Sequence, residues 1–352
     1  MKKNISPLSS IQETENSTQE PSSSPENPEK IARRYFRSLS LRYFTGTLFV
    51  LVLSLLWFPL ITRIPFIRIE TADAVFLYSS LPLYLIAMPF MIFLIQRIPA
   101  VSLPKHSMTF FQWIQAFFMC YSMMYLSNLA GLFCTWLIGL LKGSGVENSI
   151  LTMIDGVSPL PAFFVTVLCA PVFEELIFRK LLIDRTVKYG EGISILFSAL
   201  FFGLFHGNLN QFAYAFTLGA FFAFIYVKTG KILYTVFLHM VVNFLGSVAG
   251  ILLSGLPVYK ELSDFSGNIA SLLPLFQSHT GEFLILGLYS LMIFTFFVTG
   301  IICLAVNARK MNLKAGETSL SKSALFRAAL LNIGTILFSL SWIIQIILQL
   351  LL

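Results

Sequence analysis

Charge is scarce in this 352-residue chain: Asp, Glu, Lys and Arg make up 12% of it, while 56% is hydrophobic and the mean hydropathy is +0.79. So few charges cannot solvate the surface of a water-soluble domain of this apolar content, and a soluble enzyme is excluded in favour of a polytopic membrane protein. Cysteine is scarce too. Cys120, Cys134, Cys169 and Cys303 lie singly in apolar segments, with no CxxC and no Cys/His spacing. That excludes a disulfide framework and a thiolate metal centre, and the four read as small hydrophobes. No internal repeat and no cleavable signal peptide are visible, and the first apolar run is expected to remain as an anchor. The net charge of +7 calls for no nucleic-acid partner once the placement of the basic residues is considered.

Long apolar runs are abundant. Seven approach or exceed the roughly 20 residues that span a bilayer: 43–62, 74–96, 110–141, 159–183, 231–253, 283–306 and 328–352. Two shorter ones, 193–206 and 211–227, lie between them. The fold expected is all-α, with about eight or nine transmembrane helices. Residues 1–42 form a different unit, "ISPLSSIQETENSTQEPSSSPENPEK" followed by a basic run, and are expected to be a disordered cytoplasmic tail. The remaining units expected are N-terminal membrane helices over 43–145, a membrane core over 155–255 and C-terminal membrane helices over 256–352. With the nine runs as spans and the tail inside, all Lys and Arg except Arg63, Arg68, Lys142 and Lys260 face the cytoplasm. The expectation is a multi-pass plasma-membrane protein with a cytoplasmic N-terminus.

Against this background two acids stand out. Of the 17 Asp and Glu, only Glu174 and Glu175, in "PVFEELIFRK", lie inside an apolar span. A charge at membrane depth costs at least about 2–3 kcal/mol unless paired, so such residues are functional candidates. Glu175 and Arg179 are four apart and can pair along one helix face; Glu174 points roughly 100° away and cannot share that role. Two of the four histidines are also in apolar runs, His206 in "FFGLFHGNLN" and His239 in "VFLHMVVNFLG". His239 and Asn243 share a helix face, as do Phe202 and His206. The helical rise places Glu174, His206 and His239 at overlapping depths of roughly 12–20 Å from the basic ends, which lets three helices converge on one polar pocket. A buried Glu beside an imidazole can take a proton from water, and an imidazole with a carboxamide can donate to an oxyanion. The same atoms could hold zinc through Glu174, His206 and His239. A proton- or cation-relay transporter, or a non-catalytic membrane immunity or scaffold protein, accounts for buried ionisable groups as well.

"EELIFR" (Glu174 to Arg179), "FGLFH" (Phe202 to His206) and "HMVVN" (His239 to Asn243) occur in order on separate apolar segments. They resemble the EExxxR, FxxxH and HxxxN motifs of the CPBP intramembrane proteases, the CAAX-protease and bacteriocin-processing (Abi) family that includes type II CAAX prenyl endopeptidases. The resemblance covers residues 155–255. It implies an intramembrane endopeptidase in which Glu174 and His206 activate water, His239 and Asn243 stabilise the oxyanion, and Glu175, Arg179 and Phe202 support them. It also implies a membrane-embedded or lipid-modified protein or peptide as substrate, within the bilayer. The family carries a metalloprotease label; a metal-free mechanism is favoured here, with Glu174, His206 and His239 as the ligands if zinc is bound. HExxH and GxGD are missing.

Overall fold

A computed structural model describes residues 26–146, 149–265, 272–317 and 320–351. Within them the protein is a helical bundle, and eight helices are long and apolar enough to cross a membrane. In chain order these and one shorter helix are α1 (Pro28–Ile61), α2 (Ala72–Ile95), α3 (Phe110–Lys142), α4 (Pro159–Tyr189), the 15-residue α5 (Glu191–Phe205), α6 (Leu209–Thr229), α7 (Ile232–Ser254), α8 (Thr280–Lys310) and α9 (Ile333–Leu351). No strand is formed among the described residues beyond one isolated bridge, Gly190 with Ala315. The expectation of an all-α polytopic membrane protein is met.

One boundary moves. The tail was expected to run to residue 42, yet α1 starts at Pro28 and absorbs the basic stretch. Asn27 caps it by accepting a hydrogen bond from the Glu29 amide, and proline suits the first helical position, where its missing N–H is no loss. Ala32, Phe36, Leu39 and Tyr43 then recur on one face and are buried, while Arg33, Arg34, Arg37 and Arg42 occupy other positions and conceal the stripe from a hydropathy reading. At about 1.5 Å per residue, the 34 residues of α1 exceed the roughly 30 Å hydrocarbon core, so its first turns stand outside the span. Residues 1–25, which hold most of the expected disordered tail, lie outside the described residues.

Two buried clusters organise the bundle. One includes side chains of α1, α2, α4, α5 and α9; the other includes side chains of α3, α6, α7 and α8. Small residues bring the helices close, as packing within lipid requires. A Cβ on Gly219 of α6 would lie 3.0 Å from Phe202 and 3.2 Å from Ala199 of α5. Gly300 of α8 abuts the Phe118 carbonyl and Ser122 of α3, and Gly334 of α9 sits against Arg37, Ser40 and Leu41 of α1. Between α1 and α9, a buried Ser40–Thr335 hydroxyl contact of 2.8 Å satisfies two polar groups at once.

Helix α4 is irregular, and its irregularity positions the site. Two π-helical stretches, Phe163–Cys169 and Leu176–Leu181, flank the α-helical turn Ala170–Glu175 that carries both acids. Such widened turns leave carbonyls without their usual helical donors, and side chains from neighbouring helices take them. Tyr43 of α1 donates to Ile177 O at 2.7 Å and Ser198 of α5 to Phe178 O at 2.7 Å.

Candidate active site

Glu174 and Glu175 sit at the seam between the two clusters, facing α5, α6 and α7. Glu175 and Arg179 are both fully buried, with Oε2 and Nε 3.2 Å apart. The pair is close but not aligned as a hydrogen bond, and neither Nη atom of Arg179 has a hydrogen-bond partner among the described residues. The guanidinium lies instead over aromatic faces, 4.0 Å from the centroid of Phe202 and 5.5 Å from that of Phe222. Cation–π contact and one carboxylate hold this buried charge in place. Phe202, the first residue of the middle motif, is therefore the floor on which Arg179 rests.

His239 bridges the two acids. Its Nδ1 is 3.0 Å from Glu175 Oε1, and its Nε2 is 3.7 Å from Glu174 Oε2. Glu175, paired with Arg179, accepts, so Nδ1 carries a proton in this contact and Nε2 faces Glu174. The sequence reading gave Glu175 a single partner, Arg179. The structure gives it a second task, fixing the imidazole of His239.

His206 is placed differently from the expected Glu174–His206 couple. It terminates α5, its Nδ1 lies 2.8 Å from the carbonyl of Phe202 one turn back, and its ring meets Phe202 edge-on with centroids 4.8 Å apart. Among the described residues it forms no ion pair with Glu174. Phe202 also meets His239 edge-on at 5.8 Å, so both imidazoles lie around one ring. The reason for the difference is that spacing within a helix fixes a face, but not which face of a second helix lies opposite it.

Asn243, one turn beyond His239 on α7, donates from Nδ2 to the carbonyl of Thr166 on α4 at 2.8 Å. Thr166 and Ser247 touch hydroxyl to hydroxyl at 2.7 Å beside it. Neither was singled out from the sequence. The signal available was Pro171 inside an apolar run, which announces a break in the hydrogen-bond ladder before the acids.

A zinc ion held by Glu174, His206 and His239 would need those donors to converge. Among the described residues no three His, Cys, Asp or Glu side chains group closely enough to hold a metal. The arrangement does not fit that ligand set.

This buried Glu–His–Glu–Arg centre, in a bundle of membrane-length helices, lies within the segment that matches a known family. Residues 156–245 match the family "Type II CAAX prenyl endopeptidase Rce1-like". The chain is also similar to "Putative membrane peptidase YdiL" of Bacillus subtilis (strain 168), with 31% identity over 120 residues. That match covers 33% of this chain and 47% of the relative, so the chain spans less than half of that protein's length. No solved structure matches. Together the two matches support the CAAX/CPBP protease family for the core that carries the three motifs, within an integral multi-pass membrane protein.

Proposed function

We propose that the protein is an intramembrane endopeptidase whose base is Glu174. The observation that carries this reading is the buried chain Arg179–Glu175–His239–Glu174, in which one carboxylate is paired with a guanidinium and the other faces an imidazole. A water touching both Glu174 Oε2 and His239 Nε2 at ordinary hydrogen-bond length closes a triangle on their 3.7 Å separation. Glu174 takes its proton as the oxygen attacks a peptide carbonyl, and returns it to the leaving amine. His239, held by Glu175, steadies the water. The second N–H of Asn243 is the donor for the oxyanion. A membrane-associated or lipid-modified protein is the substrate class, in keeping with the prenyl endopeptidase description of the matching family.

The test is hydrolysis itself. Purified protein in liposomes is given an internally quenched farnesylated peptide in water enriched in ¹⁸O, and the new carboxyl terminus is expected to carry one heavy oxygen. An unchanged peptide, with a panel of unprenylated membrane peptides equally untouched, would overturn the reading.

A further inference from the structure

The widened turn at Phe163–Cys169 ends in an arrangement that denies one carbonyl a backbone donor. The Ala170 amide bonds back to Val165 O, five residues away. The next amide in that register would serve Thr166 O, but residue 171 is proline and has no N–H. Thr166 O therefore receives no bond from residue 171, and Asn243 Nδ2 of α7 donates to it at 2.8 Å. Around this contact, Ser247 Oγ donates to the Asn243 carbonyl at 2.6 Å and lies 2.7 Å from Thr166 Oγ1, which is also 2.8 Å from Ala162 O. The bond to Asn243 O is an ordinary one-turn back-bond of Ser in helices. Each hydroxyl has one hydrogen, so the contact between the two helices is made by the Thr166 hydroxyl turned from Ala162 O toward Ser247 Oγ. It ties the backbone of α7 at Asn243 to the turn of α4 whose carbonyl receives the Asn243 side chain.

We propose that Pro171, Thr166 and Ser247 are positioning residues for Asn243. Pro171 withholds an amide from the Thr166 carbonyl, that carbonyl orients the carboxamide, and the Thr166–Ser247 contact fixes the spacing of the two helices at that level. The role in turnover rests on the protease reading above. The positioning itself does not. An amide has two N–H donors, so anchoring one on Thr166 O directs the other in a defined direction, as a preorganised oxyanion donor must be directed. With Ala at 171 the ring no longer holds the ladder open, Thr166 O gains the residue 171 amide as a donor, and that amide competes with Asn243 for it.

Two readouts on the full-length protein separate these levels. In ¹⁵N-asparagine-labelled protein in micelles, the side-chain amide of Asn243, assigned by its loss in Asn243→Asp, is expected to show one hydrogen protected from exchange. That protection should weaken in Pro171→Ala and Ser247→Ala and return in Ser247→Thr, which keeps the hydroxyl. With the farnesylated quenched peptide, Pro171→Ala and Ser247→Ala are expected to lower kcat roughly 10- to 100-fold with KM little changed, the scale of a misplaced catalytic donor. Neither should lower it further in an Asn243→Ala background. Unchanged Asn243 protection in both Pro171→Ala and Ser247→Ala overturns the positioning role even if the peptide is cleaved. Loss of protection without any cleavage by the wild type keeps the positioning and removes the protease reading. Should Pro171→Ala fail to fold, the Ser247→Ala and Ser247→Thr pair decides alone.

Discussion

Arg179 is the side chain on which the centre turns. Its guanidinium is fully buried, its Nη atoms find no hydrogen bond among the described residues, and its charge is met by Glu175 and two aromatic faces. Taking one partner from a buried pair leaves an uncompensated charge and costs about 3–5 kcal/mol, whereas replacing both with neutral groups is often tolerated. Glu175→Gln is therefore expected to lower the melting temperature in detergent sharply, and Glu175→Gln combined with Arg179→Met to recover most of the loss. Turnover should stay low in both, because the carboxylate that fixes His239 Nδ1 is gone. A double variant with restored stability and restored turnover would show that Glu175 serves only as a counter-ion. These residues were legible in the sequence because ionisable groups are so rare in its apolar runs. Which imidazole would stand beside Glu174 was not legible. The spacing allows either His206 or His239, and His239 Nε2 lies 3.7 Å from Glu174 Oε2 because of the relative rotation of the helices, which no local spacing encodes.

Among the helices, α4 does most to shape the site. Its alternation of α-helical and π-helical turns places the acids on a short regular segment between two widened ones, and side chains of α1, α5 and α7 fill the carbonyls so released. Hydropathy marked α4 as a span but says nothing of its ladder; Pro171 was the single local sign. The start of α1 was hidden for a related reason, because a stripe of Ala32, Phe36, Leu39 and Tyr43 among arginines scores as polar when averaged. The approach of α5 to α6 depends on Gly219 lying against Phe202, the ring beneath Arg179. Gly219→Val is expected to push that ring out of place, at an overpacking cost of about 1–3 kcal/mol, and to lower turnover beyond what the stability loss explains. Thermal melts and initial rates on Gly219→Ala and Gly219→Val check this. A graded fall in rate with side-chain size is expected, and no change in either variant would mean that α6 yields freely.

For the whole molecule, the sequence made the architecture plain. Apolar runs marked all eight long helices to within a few residues, apart from the early start of α1, and the short run 193–206 became the 15-residue α5. Orientation in the bilayer rests on charge alone. The ends of α4, α6 and α8 and the start of α7 carry Arg185, Lys188, Lys228, Lys231, Arg309 and Lys310, and the segment 98–108 lies over the same end, with His106 N bonded to Thr229 O and Val101 N to Asp184 O. From the bias of Lys and Arg we propose that this end faces the cytoplasm. In a cysteine-free background, Lys105→Cys is expected to react with an impermeant maleimide only when the cytoplasmic face is open, and Arg68→Cys only from the opposite face. The reverse pattern would invert the topology while leaving the chemistry of the site intact.

The central claim is that Glu174 is the base of a peptide-hydrolysing centre held by Glu175 and His239. Replacing Glu174 with Gln keeps the size and much of the hydrogen-bonding capacity of the side chain and removes its ability to take a proton. The decisive measurement is single-turnover cleavage of the farnesylated quenched peptide by wild type and Glu174→Gln in the same liposomes, with matched melting temperatures confirming that both are folded. The account predicts a fall of about 10²- to 10⁴-fold in the chemical step, the range for a lost general base, with binding of the peptide retained. Cleavage by folded Glu174→Gln at the wild-type rate would contradict it.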